Sequence, residues 1–170
     1  PITPEYNDSS MVEDCEVLDN VPIQIGLDFG LTPAAVFAQR DSKGVWRVIH
    51  EIVTYDMGLE RFAILLKEDI NRFFPGHDII VFGDPAGSQR STLTEDTSFD
   101  HLKTHGIIAR PCATNNFKAR REALALPMTR LIEGKPGFRV DRKCVRLRKS
   151  LAGGYHFKRV AVGAGYEKFK

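Results

Sequence analysis

Asp28 closes the apolar run Pro22–Leu27 within Gly-Leu-Asp-Phe-Gly (26–30), and Asp84 closes a second run, His77–Phe82, within Phe-Gly-Asp-Pro-Ala-Gly (82–87). Each carboxylate stands where apolar residues give way to the Gly and Pro that halt a strand. If the two runs form neighbouring strands, their aspartates share one sheet edge and offer hard oxygen ligands to divalent cations. Phosphodiester hydrolysis uses such a pair: two cations roughly 3.5–4 Å apart activate the attacking water and stabilise the leaving oxygen. Glycines beside each aspartate would let a nucleic-acid backbone come close. Asp before Gly or Pro is also ordinary turn and helix-cap chemistry. The residues alone therefore define either an acidic metal site or two turns.

Several elements must position these aspartates. The runs 22–27, 34–39 and 45–55 are separated by Thr32-Pro33 and by the turn Asp41-Ser-Lys-Gly44; the last is rich in β-branched and aromatic residues. Three consecutive antiparallel strands follow. Leu59, Phe62, Ala63, Leu65, Leu66, Ile70 and Phe73 recur at helical spacing and predict an amphipathic helix over 58–74, stopped by Pro75-Gly76. The nearly all-apolar 77–82 reads as a strand covered on both faces. A short helix over 98–105, a strand over 107–110, a long helix over 116–133 interrupted at Pro127, a strand over 138–140 and a helical turn over 145–151 complete the order. That order predicts an α/β fold whose mixed sheet, three antiparallel strands plus parallel ones, is flanked by helices. Residues 1–20 mix acids with turn formers without periodicity and read as a linker or arm, which leaves 21–170 as one domain.

The 170 residues are 42% hydrophobic, enough for one real core. No apolar run reaches 18 residues and no signal-peptide pattern opens the chain, so membrane spanning and secretion are not expected. Cys15, Cys112 and Cys144 form no Cys-x-x-Cys pair and read as incidental thiols. The net charge of +2 hides an asymmetry: residues 1–100 hold 7 basic and 18 acidic residues, whereas 101–170 hold 17 basic and 4 acidic ones. A basic surface for a polyanion is the expectation, with a merely solubilising face as the alternative. Phosphate contacts are expected from Arg120, Arg121, Arg142, Lys143, Arg146, Arg148, Lys149, Lys158 and Arg159.

Five stretches in order resemble the C-terminal nuclease domain of phage terminase large subunits. They are Ile-Gly-Leu-Asp-Phe-Gly-Leu-Thr-Pro-Ala-Ala (25–35), Tyr-Asp-Met-Gly-Leu-Glu (55–60), Gly-Asp-Pro-Ala-Gly-Ser-Gln-Arg (83–90), Thr-Asn-Asn (114–116) with Arg120, Arg121 and Glu122, and Leu-Ala-Gly-Gly-Tyr-His (151–156). The resemblance implies a ribonuclease-H-like fold, two Mg²⁺ or Mn²⁺ ions, cutting of concatemeric double-stranded DNA with little sequence preference, and a setting in the host cytoplasm. Asp28 and Asp84 fall on the family's first two catalytic aspartates. The third acidic ligand of the family lies in a Ser-His-x-x-Asp-Ala-Leu stretch after the Gly-Gly-Tyr-His segment, which residues 157–170 do not contain, so it is expected beyond Lys170. Asp141, on the last predicted strand, is the alternative substitute and otherwise reads as a plain surface residue. The resemblance further implies an ATPase motor joined through residues 1–20, with portal and small terminase subunit as partners. No Gly-x-x-x-x-Gly-Lys-Ser/Thr loop occurs in the sequence itself.

Other residues have plainer readings. Glu60 resembles a helical Glu of cellular ribonucleases H but suits the first turn of any helix, and Asn115 reads as the cap of the helix carrying Arg120. His101 and His105 stand at i, i+4 with no third ligand evident in the sequence. Three other functions remain: a sugar-kinase-like ATPase, opposed by the single phosphate-loop-like stretch; a Holliday-junction-resolvase-like nuclease; and a catalytically inert ribonuclease-H-like module for DNA binding or portal docking.

Overall fold

The computed structural model describes residues 2–30, 32–88 and 97–156, with the backbone of 158–162 and 165–169. The elements are α1 (Asp8–Met11), β1 (Val12–Glu13), β2 (Ile23–Asp28), β3 (Ala34–Arg40), β4 (Trp46–Val53), α2 (Leu59–Phe73), β5 (Ile79–Gly83), α3 (Ser98–Thr104), β6 (Ala109–Pro111), α4 (Phe117–Thr129), β7 (Leu131–Ile132), β8 (Lys135–Pro136), β9 (Phe138–Asp141), α5 (Val145–Lys149), β10 (Lys158–Val162) and β11 (Gly165–Phe169). A 3-10 turn over Pro85–Ser88 follows β5, and a π-type turn over Ser150–Gly154 follows α5.

The main sheet runs β1-β9-β4-β3-β2-β5-β6. β3 is antiparallel to both β2 and β4, and the remaining pairs are parallel. This is the mixed α/β sheet that the sequence predicts. Alternation along β2 sends Ile23, Ile25 and Leu27 to one face. There they meet Ala35 and Phe37 of β3 and the apolar stripe of α2: Phe62, Ala63, Leu66 and Ile70. The opposite face packs Val48, Phe138 and Val140 against Met128 of α4, Cys144, Leu151 and, from the N-terminal segment, Tyr6 and Met11.

The N-terminal segment lies against the domain as an arm: Ile2, Thr3, Tyr6 and Met11 are buried, and Val12–Glu13 adds an edge strand to β9. One helix departs from its expected boundary. The helix expected over 116–133 ends at Thr129, two residues past Pro127. The chain then turns through Glu133 and Gly134, at φ 53° and 79°, to pair β7 with β8. Two successive positive φ angles suit a tight hairpin turn, and Gly134 supplies one without strain.

Candidate metal site and basic surface

β2 and β5 are parallel neighbours with Leu27 opposite Gly83, so Asp28 and Asp84 are the next residues of two adjacent strand ends, about 4.8 Å apart in backbone spacing. Asp28 is exposed and Asp84 half-buried. Both line one cleft of about 350 Å³ with Gly26, Phe82, Cys112, Thr114, Asn115 and Arg120. Fixing the two motifs together is an aromatic contact. The ring of Phe29, beside Asp28, lies against Gly83 and Gly87, on either side of Asp84, and meets Phe99 of α3 edge-on at 5.3 Å. A Cβ on Gly83 would sit 2.5 Å from Phe29 Cε2, and one on Gly87 2.6 Å from the same atom. These two glycines therefore make room for Phe29, whereas Gly26 in the cleft has no neighbour within 4 Å of a Cβ and leaves the open approach expected of the first motif.

Asp84 is held from the other side by the start of α4. Asn115 Nδ2 donates to Asp84 Oδ1 at 3.3 Å, and Arg120 Nη1 lies 3.7 Å from Asp84 Oδ2 while donating to Asn115 Oδ1 at 2.6 Å. The helix cap is Asn116, whose side chain accepts from the Ala119 N–H at 3.0 Å. Asn115 is thus not the cap expected from sequence. With two consecutive asparagines, composition could not tell which would turn to the helix and which to Asp84.

Asp141 is not brought to this site. It ends β9, which is separated from β2 by β4 and β3, so three strand spacings of about 4.8 Å lie between it and Asp28. Its carboxylate is buried and accepts backbone N–H groups of Cys15 at 2.9 Å and Lys143 at 2.8 Å. A carboxylate that anchors two backbone segments there is structural, which corrects the expectation that it substitutes for the third ligand. Burial, reinforced by Asp141, pushes the thiol of Cys15 up to about 11. Burial, then Glu51 and Asp141, pushes that of Cys144 up to about 12. Neither thiol is poised to ionise and ligate near neutral pH.

Glu60 joins His101 of α3 and His105, which caps that helix: His105 Nε2 is 2.9 Å from Glu60 Oε1 and His101 Nδ1 3.9 Å from Oε2. The pair ties α3 to α2. Among the described residues no group of three His, Cys, Asp or Glu side chains is arranged to hold a metal ion.

The basic residues divide into two sets. Arg121 pairs with Glu5 and donates to the Ile2 carbonyl at 3.3 Å; Arg142 pairs with Asp14 at 3.0 Å and Arg148 with Asp8 at 2.5 Å. Three of the expected phosphate contacts are therefore engaged by the acidic N-terminal segment. Arg148, as hydrogen-bond partner, holds the Asp8 carboxyl below its usual range despite some desolvation. Lys143 and Lys149 are exposed, and Arg146 lays its guanidinium 5.3 Å from the centroid of the Tyr55 ring. Arg146, Lys149, Tyr55 and Asp28 line a second hollow of about 460 Å³, so Arg146 and Lys149 share a surface with Asp28. The side chains of Lys158 and Arg159 lie outside the described residues.

No protein-family model and no curated protein sequence matches the chain. Among solved structures, the large terminase of a thermophilic bacteriophage, also solved in complex with ADP, superposes with a TM-score of 0.72 at 12% identity, covering 99% of this chain and 41% of that one. The P22 large terminase nuclease domain gives 0.67 at 14% identity, over 89% of this chain and 77% of that one. The large terminase nuclease of thermophilic phage G20c, solved with bound magnesium, gives 0.62 at 12% identity, over 98% and 86%. The chain spans about two fifths of the length of the first of these proteins. It has the ribonuclease-H-like mixed α/β fold of large terminase nuclease domains.

Proposed function

We propose that this chain is the nuclease domain of a DNA-packaging large terminase: a divalent-metal-dependent endonuclease acting on concatemeric double-stranded DNA. The observation that carries the reading is the pairing of Asp28 with Asp84 on adjacent parallel strand ends, in a cleft that also holds Arg120. Two oxygen-rich side chains one strand spacing apart, at the mouth of an open cleft, fit hard cations such as Mg²⁺ or Mn²⁺. When bound, such ions activate water and neutralise charge at the scissile phosphate. The chain's own residues hold and orient: Asp28 and Asp84 would ligate, Asn115 and Arg120 flank Asp84 from the start of α4, and Lys143, Arg146 and Lys149 grip the duplex by its phosphates. Phosphate contacts of this kind position DNA without reading its sequence.

The likeness to a large terminase more than twice as long as this chain, also solved with ADP, supports an ATPase motor in the same polypeptide; partnership with portal and small subunit in the host cytoplasm rests on the sequence resemblance alone. Among the described residues no helix is long and apolar enough to cross a membrane.

The test is nicking and linearisation of supercoiled plasmid with Mg²⁺, Mn²⁺ or EDTA, beside Asp28→Asn and Asp84→Asn. Metal-dependent cutting abolished in both variants is expected. No cutting together with no Mn²⁺ binding would overturn the nuclease reading and leave a DNA-binding or docking module.

A further inference from the structure

Of the described residues lining the cleft, the charged ones are Asp28, Asp84 and Arg120. Two carboxylates at neighbouring strand ends repel each other and repel an incoming phosphate, so the guanidinium beside them bears on what the cleft tolerates before and after cations arrive. Its placement is specific. Arg120 is anchored by the neutral amide oxygen of Asn115 at 2.6 Å, while its distance to Asp84, 3.7 Å, exceeds that of a charge-assisted hydrogen bond. Asn115 reaches both partners because Asn116 has taken over the helix cap. A guanidinium carries five N–H donors. One engages Asn115, and the half-exposed side chain lines the cleft.

We propose that Arg120 is the internal counter-ion of Asp84 in the cation-free cleft and the clamp on the scissile phosphate once cations are bound, with Asn115 as the positioning residue that holds the guanidinium between the two. The inference rests on the nuclease reading above. Anchoring through an amide lets the guanidinium change electrostatic partner without losing its position: a cation takes over Asp84, and the phosphate takes over the guanidinium. Arg121, next in sequence, cannot do this, since Glu5 and the Ile2 carbonyl hold it on the arm side.

The sign of one effect separates this role from a merely structural one. Arg120 and a cation compete for Asp84, so Arg120→Ala tightens Mn²⁺ binding, by roughly two- to five-fold for a pair this exposed. A side chain that only propped Asp84 in place would weaken it on removal. Arg120→Lys keeps the charge but not the planar fork, so Mn²⁺ affinity stays near that of the unaltered protein. In both variants kcat for plasmid nicking at saturating Mn²⁺ falls by about 100-fold, as when one donor to developing negative charge is removed, while KM changes little. Asn115→Ala, which frees the guanidinium, lowers kcat without loss of Mn²⁺ affinity.

Calorimetric Mn²⁺ titration and nicking kinetics on these variants, with Asp84→Asn as the site control and melting curves confirming the fold, make the test. Weaker or unchanged Mn²⁺ binding in Arg120→Ala overturns the proposal, as does kcat within two-fold of the unaltered protein. If the unaltered protein does not nick, the manganese titration alone decides. If Asp84→Asn binds Mn²⁺ as tightly as the unaltered protein, the metal-site reading itself fails and this inference goes with it.

Discussion

Asp141→Asn separates a metal-ligand role from an anchoring one. The carboxylate is 3% exposed, with Oδ2 accepting the Cys15 N–H at 2.9 Å and Oδ1 the Lys143 N–H at 2.8 Å. It thereby joins the chain just after β1 to the turn just after β9, the two strands that make the sheet edge. Asparagine keeps one acceptor oxygen and replaces the other with an amide NH₂ that faces a backbone N–H. One charge-assisted bond, about 1.5–3 kcal/mol, is lost, and the other becomes an ordinary neutral bond. The expected cost is about 3 kcal/mol, or about 6–12 °C in Tm at the 2–4 °C per kcal/mol typical of a chain this size. Mn²⁺ affinity of the folded protein should not change, because three strand spacings, about 14 Å, separate β9 from β2. Thermal melting monitored by circular dichroism gives the first quantity, and manganese titration well below the transition gives the second. An unchanged Tm with Mn²⁺ binding weakened ten-fold would refute the reasoning and restore Asp141 as a ligand.

Gly83→Ala places a methyl 2.5 Å and 2.7 Å from two ring atoms of Phe29; overpacking of this kind costs about 1–3 kcal/mol, and combining it with Phe29→Leu should cost less than the sum of the two changes. Strict additivity in melting experiments would show that the ring and the glycine are not in contact. A second expectation concerns acid. The Asp8 carboxyl is held low by Arg148, so its contribution is fully present above the unfolded carboxylate pKa of about 3.9 and is lost as pH falls through the lower folded value. The Tm gap between the unaltered protein and Asp8→Asn should therefore be constant near neutrality and close below about pH 4. A gap that persists undiminished at the acid end of the melting series would count against the pairing.

How much of this is legible in the sequence depends on how local the determining interaction is. β2 to β4, α2 and β5 follow from periods of two and 3.6 residues, and their boundaries fall within a residue or two of the expected ones. The adjacency of Asp28 and Asp84 follows only conditionally, because a parallel pairing is not written in either strand; the register of β2 on β5 supplies it. The N-terminal segment is illegible for a related reason. A strand of two residues, Val12–Glu13, has no period to detect, and its partner β9 comes more than a hundred positions later. Pro127 marks the end of α4 correctly in kind, but the expected boundary lies four residues too late because the turn at Glu133-Gly134 depends on a positive φ at a residue that seldom adopts one.

Charge shows the same limit most sharply. The segregation between the two parts of the chain is plain in the sequence and suggests an external polyanion, yet opposite charges on one chain are each other's nearest partners. Glu5 takes Arg121, Asp8 takes Arg148 from 140 positions away, and Asp14 takes Arg142. The Asp14–Arg142 pair is exposed, whereas Glu5 and Arg121 are half-buried; ion pairs at the surface organise the arm more than they stabilise it, and the exposed one is the most readily exchanged for a phosphate. The exposed cations Lys143 and Lys149, outside these pairs, would meet a duplex first, with Arg146 on Tyr55 leading inward to Asp28. DNA binding would then run from these lysines toward the carboxylates, with the arm-bound arginines joining only where the duplex displaces the acidic segment.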